Sequence, residues 1–559
     1  MKGTNILIVG GVAGGATAAA RARRLSESAS ITVVERGPYV SYANCGLPYF
    51  VSGDISERSK LLLQTPEGFD RRYRVDVKLH TEALQIDRDG HKVLVRGPDG
   101  QVWLPYDKLV LAQGGTPILP PLPGADAPHV FKLWTVQDMD RLDAFLRDHQ
   151  PKHALVAGGG FIGLEMAEAF AKRGVATTVV ELQPQVMALM DAEFGQQVAA
   201  ELRQHGVAVE VGVGLKAIDA ANHTAELSDG RQLPADLVLF SVGVRPELAL
   251  VRQAGLELGP SGGLQVDAFL QTSDPDIYAA GDMVEVLQRI SGRLVRMPLA
   301  GPANRQGRIA ASNALGVATP YHGALGTSVV KVFEATAAMT GLSEKAALQA
   351  GLDVGVANLH KDHHAGYYPG GQEMSLKIVY ERGTGKLLGA QGFGRAGVDK
   401  RIDVLATALH GGMTVWDLAE LDLAYAPPYS SANDPVNLLG FVAGNDLSGF
   451  APLQTPGQLA ALLQNPQVDT PPPLLLDVRS PRERSVGHLE GDVAIPIDEL
   501  RARLSELPRD RKILVYCRSG FRGHLALRIL RDHGFDDVAN LTGGWLSLVL
   551  SPGLPLVVD

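Results

Sequence analysis

Two short apolar runs in this chain each end in a glycine-rich turn, and that repetition limits the fold more than any other feature. Residues 5–9 (NILIV) lead into Gly10-Gly11-Val12-Ala13-Gly14-Gly15, and residues 153–157 (HALVA) lead into Gly158-Gly159-Gly160-Phe161-Ile162-Gly163. Each turn is followed by a helix-like stretch, 16–25 and 164–172, and then by an apolar run ending in an acid, 30–35 and 176–181. Strand, tight turn, helix and strand in this order form the opening unit of a dinucleotide-binding fold. Two such units predict two bound dinucleotides.

The turns have a physical logic. Gly10 permits the tight bend, Gly15 lets the helix pack on the strand, and N–H groups at the helix start face a pyrophosphate. Val12 stands where the usual pattern has its middle glycine. Glu35, with Arg36 beside it, ends the second strand, where a carboxylate accepts hydrogen bonds from ribose hydroxyls. The second turn carries the full pattern through Gly158, Gly160, Phe161, Ile162 and Gly163. Glu181 there favours a free 2′-hydroxyl over a 2′-phosphate, so NADH is expected over NADPH. The plainer alternative for either turn is a helix–strand connection that needs small residues.

A chain of 559 residues is too long for one core. Its 52 Lys+Arg against 61 Asp+Glu give a charge of -9, which argues against a general nucleic-acid partner and leaves room for a local basic pocket. No run approaches the ~20 apolar residues of a membrane span, and MKGTNILIVGG enters a strand without a secretory cleavage pattern, so no membrane association and a cytoplasmic location are expected. Two cysteines do not make a disulfide scaffold, and no Cys/His cluster has metal-ligand spacing, so no metal is expected. Residues 107–115 and 274–282 each place an apolar strand before glycine, as returns to the first domain. From about Ala324 strands and helices mix. Proline density in 465–473 (NPQVDTPPP) predicts a stiff linker, after which 474–478 (LLLDV) opens a small α/β unit.

Two glycine loops in this order resemble the pyridine nucleotide–disulfide oxidoreductases. Tyr278-Ala279-Ala280-Gly281-Asp282 is similar to that family's second flavin motif, and Ser241-Val242-Gly243-Val244-Arg245-Pro246 to the crossing back from the NADH domain. Residues 109–117 resemble the outward crossing, with Gln113 in place of the usual threonine. The resemblance covers about residues 5–445. It implies FAD at the first loop, with Gly281 and Asp282, and NADH at the second, with Gly243.

Most of that superfamily has paired cysteines, whereas Ser41-Tyr42-Ala43-Asn44-Cys45-Gly46-Leu47-Pro48 has one. It resembles the single-cysteine branch: coenzyme A-disulfide reductases, NADH oxidases and peroxidases, and persulfide reductases. There the cysteine lies beside the flavin and cycles through a mixed disulfide or a sulfenic acid. That chemistry needs a thiolate, with its pKa lowered by local dipoles or flavin contact. The alternative is a buried, inert cysteine. Oxidases and peroxidases of this branch carry a histidine in the first loop, where this chain has Val12-Ala13-Gly14-Gly15. Thr17, Arg21 and Arg24 share one helix face by their spacing. By resemblance to coenzyme A-disulfide reductases, they join Ser41 and Asn44 in contacting coenzyme A, with Arg71 and Arg72 adding to the patch; a solvated basic face is the alternative. The resemblance also matches Tyr367 and Tyr425 to two tyrosines that approach the redox cysteine from the partner subunit of a homodimer. They are catalytic candidates that otherwise pack an interface.

Residues 474–559 resemble a rhodanese domain. Leu476-Asp477-Val478-Arg479, Glu483, Gly487-His488-Leu489-Glu490-Gly491 and Gly543-Gly544-Trp545 surround the loop Cys517-Arg518-Ser519-Gly520-Phe521-Arg522. A ring of N–H groups and a helix start would stabilise a thiolate or persulfide at Cys517, with Arg518 and Arg522 close by. An inactive fold used for contacts is the alternative.

The fold class expected is α/β: two Rossmann-like dinucleotide-binding domains, an α+β dimerisation domain and a C-terminal α/β rhodanese domain. The domains are placed at 1–113 with 245–322 (FAD), 114–244 (NADH), 323–445 (dimerisation), 446–473 (linker) and 474–559 (rhodanese). The activity expected is NADH-dependent reduction of persulfides, polysulfides or coenzyme A disulfide, with electrons passing from NADH to FAD to Cys45 and with Cys517 handling sulfane sulfur. Coenzyme A is the expected ligand or substrate. The rivals are an NADH oxidase or peroxidase using a Cys45 sulfenic acid, and a sulfur-relay or redox-sensing protein.

Overall fold

Strand Asn5–Val9 lies at the centre of a five-stranded parallel sheet. Ser30–Val34 and Lys108–Leu111 flank it, and Val75–Lys78 and Ile277–Ala279 lie outside them. Ile6, Leu7 and Ile8 are all buried, as expected for a strand covered on both faces. His153–Ala157 holds the same place in a second parallel sheet, between Ala176–Glu181 and Leu237–Phe240, with Ala208–Val211 and Val130–Lys132 outside. The duplication read from the glycine turns extends to the order of four strands; the fifth, Ile277–Ala279 or Val130–Lys132, comes last in chain order in the first sheet and first in the second.

The structure is a computed structural model that describes residues 3–465 and 471–558. Residues 1–184 and 203–326 form one unit, and 185–202 with 327–559 form another. In the first unit each parallel sheet is accompanied by a three-stranded antiparallel meander, Glu82–Asp87 to Gly100–Pro105 and Leu215–Asp219 to Gln232–Pro234. The outward crossing Gly115–Pro117 pairs antiparallel with the return Val244–Pro246, so the chain leaves and re-enters the FAD region side by side.

Helix Ala13–Leu25 buries Ala16, Ala18, Ala19 and Ala22, small residues that let it sit close to the sheet. The buried Arg23 donates to the carbonyls of Ser26, Glu27, Tyr73 and Arg74, satisfying acceptors at and just past the C-terminal ends of two helices. A Cβ on Gly307 would meet the Gly14 carbonyl oxygen at 2.1 Å, so helix Ala300–Ala314 touches backbone to backbone with the first glycine turn.

The second unit holds an antiparallel sheet in the order Ser328–Val332, Ala335–Gly341, Leu387–Gly394, Glu373–Glu381, Val354–Asp362. Lys377 is buried there among Asp191, Glu193 and Glu344, at 2.7–2.9 Å. The C-terminal sheet is parallel, in the order Leu453–Gln454, Val538–Leu541, Ile513–Tyr516, Leu474–Asp477, Val493–Ala494.

This corrects the expected linker at 446–473. Leu453–Gln454 pairs with Val538–Leu541, and helix Pro456–Gln464 follows it. Pro456 is a helix-start proline: Thr455 and Gln458 form a capping box around it. The proline-rich stretch read as stiff overlaps 466–470, which lie outside the described residues. Among the described residues, no helix is long and apolar enough to cross a membrane.

Candidate functional site

The two glycine turns have the same construction. Gly10 has φ +98 and Gly158 φ +110, and a Cβ on either would meet a carbonyl oxygen, of Ala112 or Ser241, at 2.3 Å. A Cβ on Gly15 would meet the Gly10 carbonyl oxygen at 1.7 Å, and one on Gly163 the Gly158 carbonyl oxygen at 2.0 Å. The acids match too. Gly11 N–H donates to Glu35 Oε2 at 2.8 Å and Gly37 N–H to Oε1 at 2.8 Å; Gly159 N–H donates to Glu181 Oε2 at 2.7 Å and Gln183 N–H to Oε1 at 2.7 Å. Each carboxylate is thus fixed at the end of its strand by the turn it serves. Val12, at the position of Gly160, has φ -98, so no glycine is required there by the backbone. A Cβ on Gly160 would meet nothing within 4 Å.

A cavity of about 430 Å³ opens over the first turn. Gly10 to Gly14, Glu35, Arg36, Asn44, Gln113, Gly281 and Asp282 all line it. Gln113 Oε1 is buried without a hydrogen-bond partner, an acceptor suited to a ligand donor. Asp282 is pushed up to about 6 by burial. Gly281 N–H donates to the buried Gln306 at 2.8 Å. Arg36 faces Glu247 at 3.8 Å. An open cradle of glycine N–H groups, a fixed ribose-facing acid and an unmatched acceptor fit FAD. The second turn repeats the glycine N–H groups and the fixed acid, Glu181, and fits a nicotinamide dinucleotide. Gly243, at φ +110, accepts from Ile118 N–H where the two crossings meet.

Cys45 is exposed, in the turn Asn44–Gly46 that precedes helix Leu47–Val51. Ser41 takes a left-handed conformation, φ 49, held by its N–H to the Gly11 carbonyl at 2.8 Å and by Leu63 N–H to its own carbonyl at 2.9 Å. This ties the cysteine segment to the first glycine turn. Asn44 Oδ1 accepts from Cys45 N–H at 3.1 Å and lies 3.7 Å from Sγ. Burial pushes the thiol up, and the carboxylates of Glu165 and Asp282 add to that. The cysteine's own backbone bond acts the other way and lowers it, as expected of a local dipole. Glu165 accepts from Tyr49 Oη at 3.0 Å, and burial pushes its carboxyl up to about 7.

The basic face forms with one addition. Thr17 Oγ1 donates to Asn304 Oδ1 at 2.6 Å and Arg21 Nε to Ser312 Oγ at 3.0 Å. Burial, then Arg308 and Arg24, push Arg21 down, as expected where guanidinium groups crowd. Arg71 and Arg72 are exposed on helix Pro66–Tyr73. In the second unit Tyr367 Oη and Tyr425 Oη lie 2.9 Å apart, both exposed. The buried Arg401 joins their two loops, donating to the His363 carbonyl at 2.8 Å, Ser430 Oγ at 3.2 Å and Asp434 Oδ2 at 2.9 Å.

Cys517 is buried between strand Ile513–Tyr516 and helix Phe521–Asp532. Gly520, at φ +105, turns its N–H onto Sγ at 3.1 Å. Arg522 reaches the sulfur and pairs with both oxygens of Glu483, while Ser519 is half-buried and Phe521 exposed at the rim. Arg518, expected close to the sulfur, is paired at 2.8 Å and 2.9 Å with Glu373 of the antiparallel sheet.

Residues 4–307 match the pyridine nucleotide-disulphide oxidoreductase family, 327–435 that family's dimerisation domain and 455–549 the rhodanese-like domain. The chain belongs to the pyridine nucleotide-disulphide oxidoreductases. The coenzyme A disulfide reductase of Staphylococcus haemolyticus is 34% identical over 442 residues, 78% of this chain and 99% of that protein. The crystal structure of reduced Bacillus anthracis CoADR-RHD is 41% identical, with 99% of this chain and 100% of that one covered and a TM-score of 0.95. A NAD-dependent persulfide reductase from A. fulgidus is 38% identical, with coverage of 97% and 99% and a TM-score of 0.89.

Three residues of this oxidoreductase escape the sequence reading. Glu165 follows Gly163 by two positions, a local signal that was there to be used. Arg308 lies four residues after Asn304, one turn along the helix that meets the first glycine turn. Glu373 has no local signal, because its partner is 145 residues away.

Proposed function

We propose that this chain is an NADH-dependent flavoprotein reductase of persulfides, polysulfides or coenzyme A disulfide, with a fused sulfur-carrying rhodanese module. The observation that carries this reading is the place of Cys45. Its sulfur feels both Asp282, from the FAD cradle, and Glu165, from the helix that begins at the NADH turn.

FAD held in the first cradle supplies the two-electron relay between NADH and sulfur. Glu35, the 10–15 turn, Gln113, Gly281 and Asp282 hold it, while the 158–163 turn, Glu181 and Gly243 hold NADH. Cys45 Sγ attacks a disulfide or persulfide: a Cys45–S bond forms, the S–S bond breaks, and a thiolate leaves. Two electrons and a proton from NADH, with one more proton, return Cys45 to the thiol and release the second sulfur as thiol or sulfide. Asn44, Ser41, Thr17, Arg21, Arg24 and Arg72 orient a coenzyme A carrier, its phosphates meeting the guanidinium face. The chain acts as a cytoplasmic homodimer whose dimerisation domain brings the Tyr367–Tyr425 pair to the redox cysteine, where a phenol protonates the leaving sulfur. Cys517 takes sulfane sulfur as a persulfide and presents it for reduction. The reading keeps the domains at 1–113 with 245–322, 114–244 and 323–445, and begins the rhodanese module near residue 452 instead of 474.

NADH oxidation is measured with coenzyme A persulfide, polysulfide, coenzyme A disulfide and hydrogen peroxide, on wild type and Cys45→Ser. Sulfur-dependent turnover lost in Cys45→Ser supports the reading, and fast peroxide turnover without sulfur turnover overturns it. Mass analysis of the denatured protein is expected to release FAD and coenzyme A.

A further inference from the structure

Both guanidinium groups of the Cys517 loop are held by carboxylates. Arg522 pairs with Glu483, at 2.7 and 2.5 Å, within its own module. Arg518 pairs with Glu373, at 2.8 and 2.9 Å, which opens strand Glu373–Glu381 of the antiparallel sheet. Such fork-to-fork pairs fix orientation as well as charge.

The packing around this pair keeps it in register. Asn358 N–H donates to Thr542 Oγ1 at 2.8 Å. His360 lies between Ser375 Oγ, at 2.9 Å, and Ser547 Oγ, at 2.8 Å. A Cβ on Gly543 would meet Asn358 Cβ at 3.0 Å, so the module sits close against the sheet. The same short helix, Gly544–Leu548, supports the sulfur loop: Trp545 N–H donates to the Cys517 carbonyl at 2.8 Å and Leu546 N–H to the Arg518 carbonyl at 3.1 Å. Docking contacts and loop contacts thus share one element.

We propose that Glu373 is a specificity-determining residue for the sulfur donor at Cys517: by holding Arg518, it turns the loop towards thiol persulfides and away from dianionic donors such as thiosulfate. This rests on the sulfur-transfer reading above. With either donor, the Cys517 thiolate attacks the outer sulfur, a Sγ–S bond forms, and the S–S bond to the carrier breaks, with no net electron input. A thiol persulfide leaves a singly charged thiolate. Thiosulfate enters with two negative charges and leaves as sulfite with two, so it gains far more from a free guanidinium at the loop. By pairing with Arg518, Glu373 withdraws that cation from the donor.

The test uses the full chain with Cys45→Ser, so that Cys517 is the one cysteine left. Persulfide formation on Cys517 is followed by mass spectrometry against concentration of glutathione persulfide or thiosulfate, with and without Glu373→Gln. Glu373→Gln is expected to raise thiosulfate loading relative to persulfide loading about five- to tenfold, through the half-saturating concentration more than the maximal rate. Adding Arg518→Gln is expected to cancel the gain. An unchanged donor ratio, or a gain that survives Arg518→Gln, overturns the role of Glu373 alone. No loading by either donor overturns the sulfur-transfer reading with it.

Discussion

Tyr49 donates a hydrogen bond to Glu165 at 3.0 Å, joining the helix that follows Cys45 to the helix that begins at the NADH turn. Burial and the nearby Glu168 raise the Glu165 carboxyl and the Tyr49 bond opposes them, leaving it at about 7. The Cys45 thiol, pushed up first by burial, feels Glu165 next. The protonation state of one carboxyl therefore tunes the nucleophile.

Glu165→Gln removes that negative charge. Alkylation of Cys45 by iodoacetamide, located by peptide mapping, is expected to be roughly two- to fivefold faster at pH 8 than in wild type. At pH 5.5, where Glu165 holds its proton, the difference is expected to vanish. Equal ratios at both pH values would contradict the coupling.

The same carboxyl affects stability. The folded protein keeps its proton to about pH 7, whereas the unfolded chain loses it near the ordinary value of 4.5. The native state therefore binds more protons in that window, and this group lowers stability as pH rises through it, with the full cost present above pH 7. Thermal melts are expected to show Glu165→Gln gaining more over wild type at pH 8 than at pH 5.

Gly163 and Gly160 separate packing from ligand space. Gly163→Ala places a methyl 2.0 Å from the Gly158 carbonyl oxygen and is expected to cost about 1–3 kcal/mol of stability. Gly160→Ala places its methyl in open space. It is expected to melt as wild type and retain FAD, yet raise the NADH KM at least about tenfold, because the pyrophosphate passes there. An unaltered NADH KM in Gly160→Ala would contradict the second cradle.

Arg308 and Arg23 divide the arginines of the first helix pair by role. Arg308→Gln is expected to raise the KM for coenzyme A substrates about three- to tenfold and to flatten its salt dependence. Arg23→Gln is expected to lower Tm instead, since its four carbonyl partners are left unmatched. Steady-state kinetics at two ionic strengths distinguish the two.

The cradles were legible in sequence because each depends on neighbours in the chain: a glycine, the strand before it and the acid some twenty residues on. Val12 departs from the pattern because the pattern records residue types, whereas its φ of -98 shows a backbone that does not require glycine. The strand and helix at 453–464 carry a local signal in the capping box of Thr455 and Gln458 around Pro456, but the proline density of 465–473 beside them points to a linker. Arg518 and Glu373 meet only in the folded chain, so no spacing rule brings them together. Burial raises the Cys45 thiol first, and the two acids that add to it, Glu165 and Asp282, reach it from distant segments.

The central claim is that Cys45 spends NADH on a sulfur bond. Anaerobic mixing of the holoenzyme with NADH and coenzyme A persulfide, with sulfide and NADH counted together, tests it most directly. Reduction of R–S–SH by NADH and a proton gives R–SH and hydrogen sulfide, so one sulfide per NADH is predicted, with loss of both in Cys45→Ser. NADH consumed without sulfide, or sulfide released at an unchanged rate in Cys45→Ser, would contradict it.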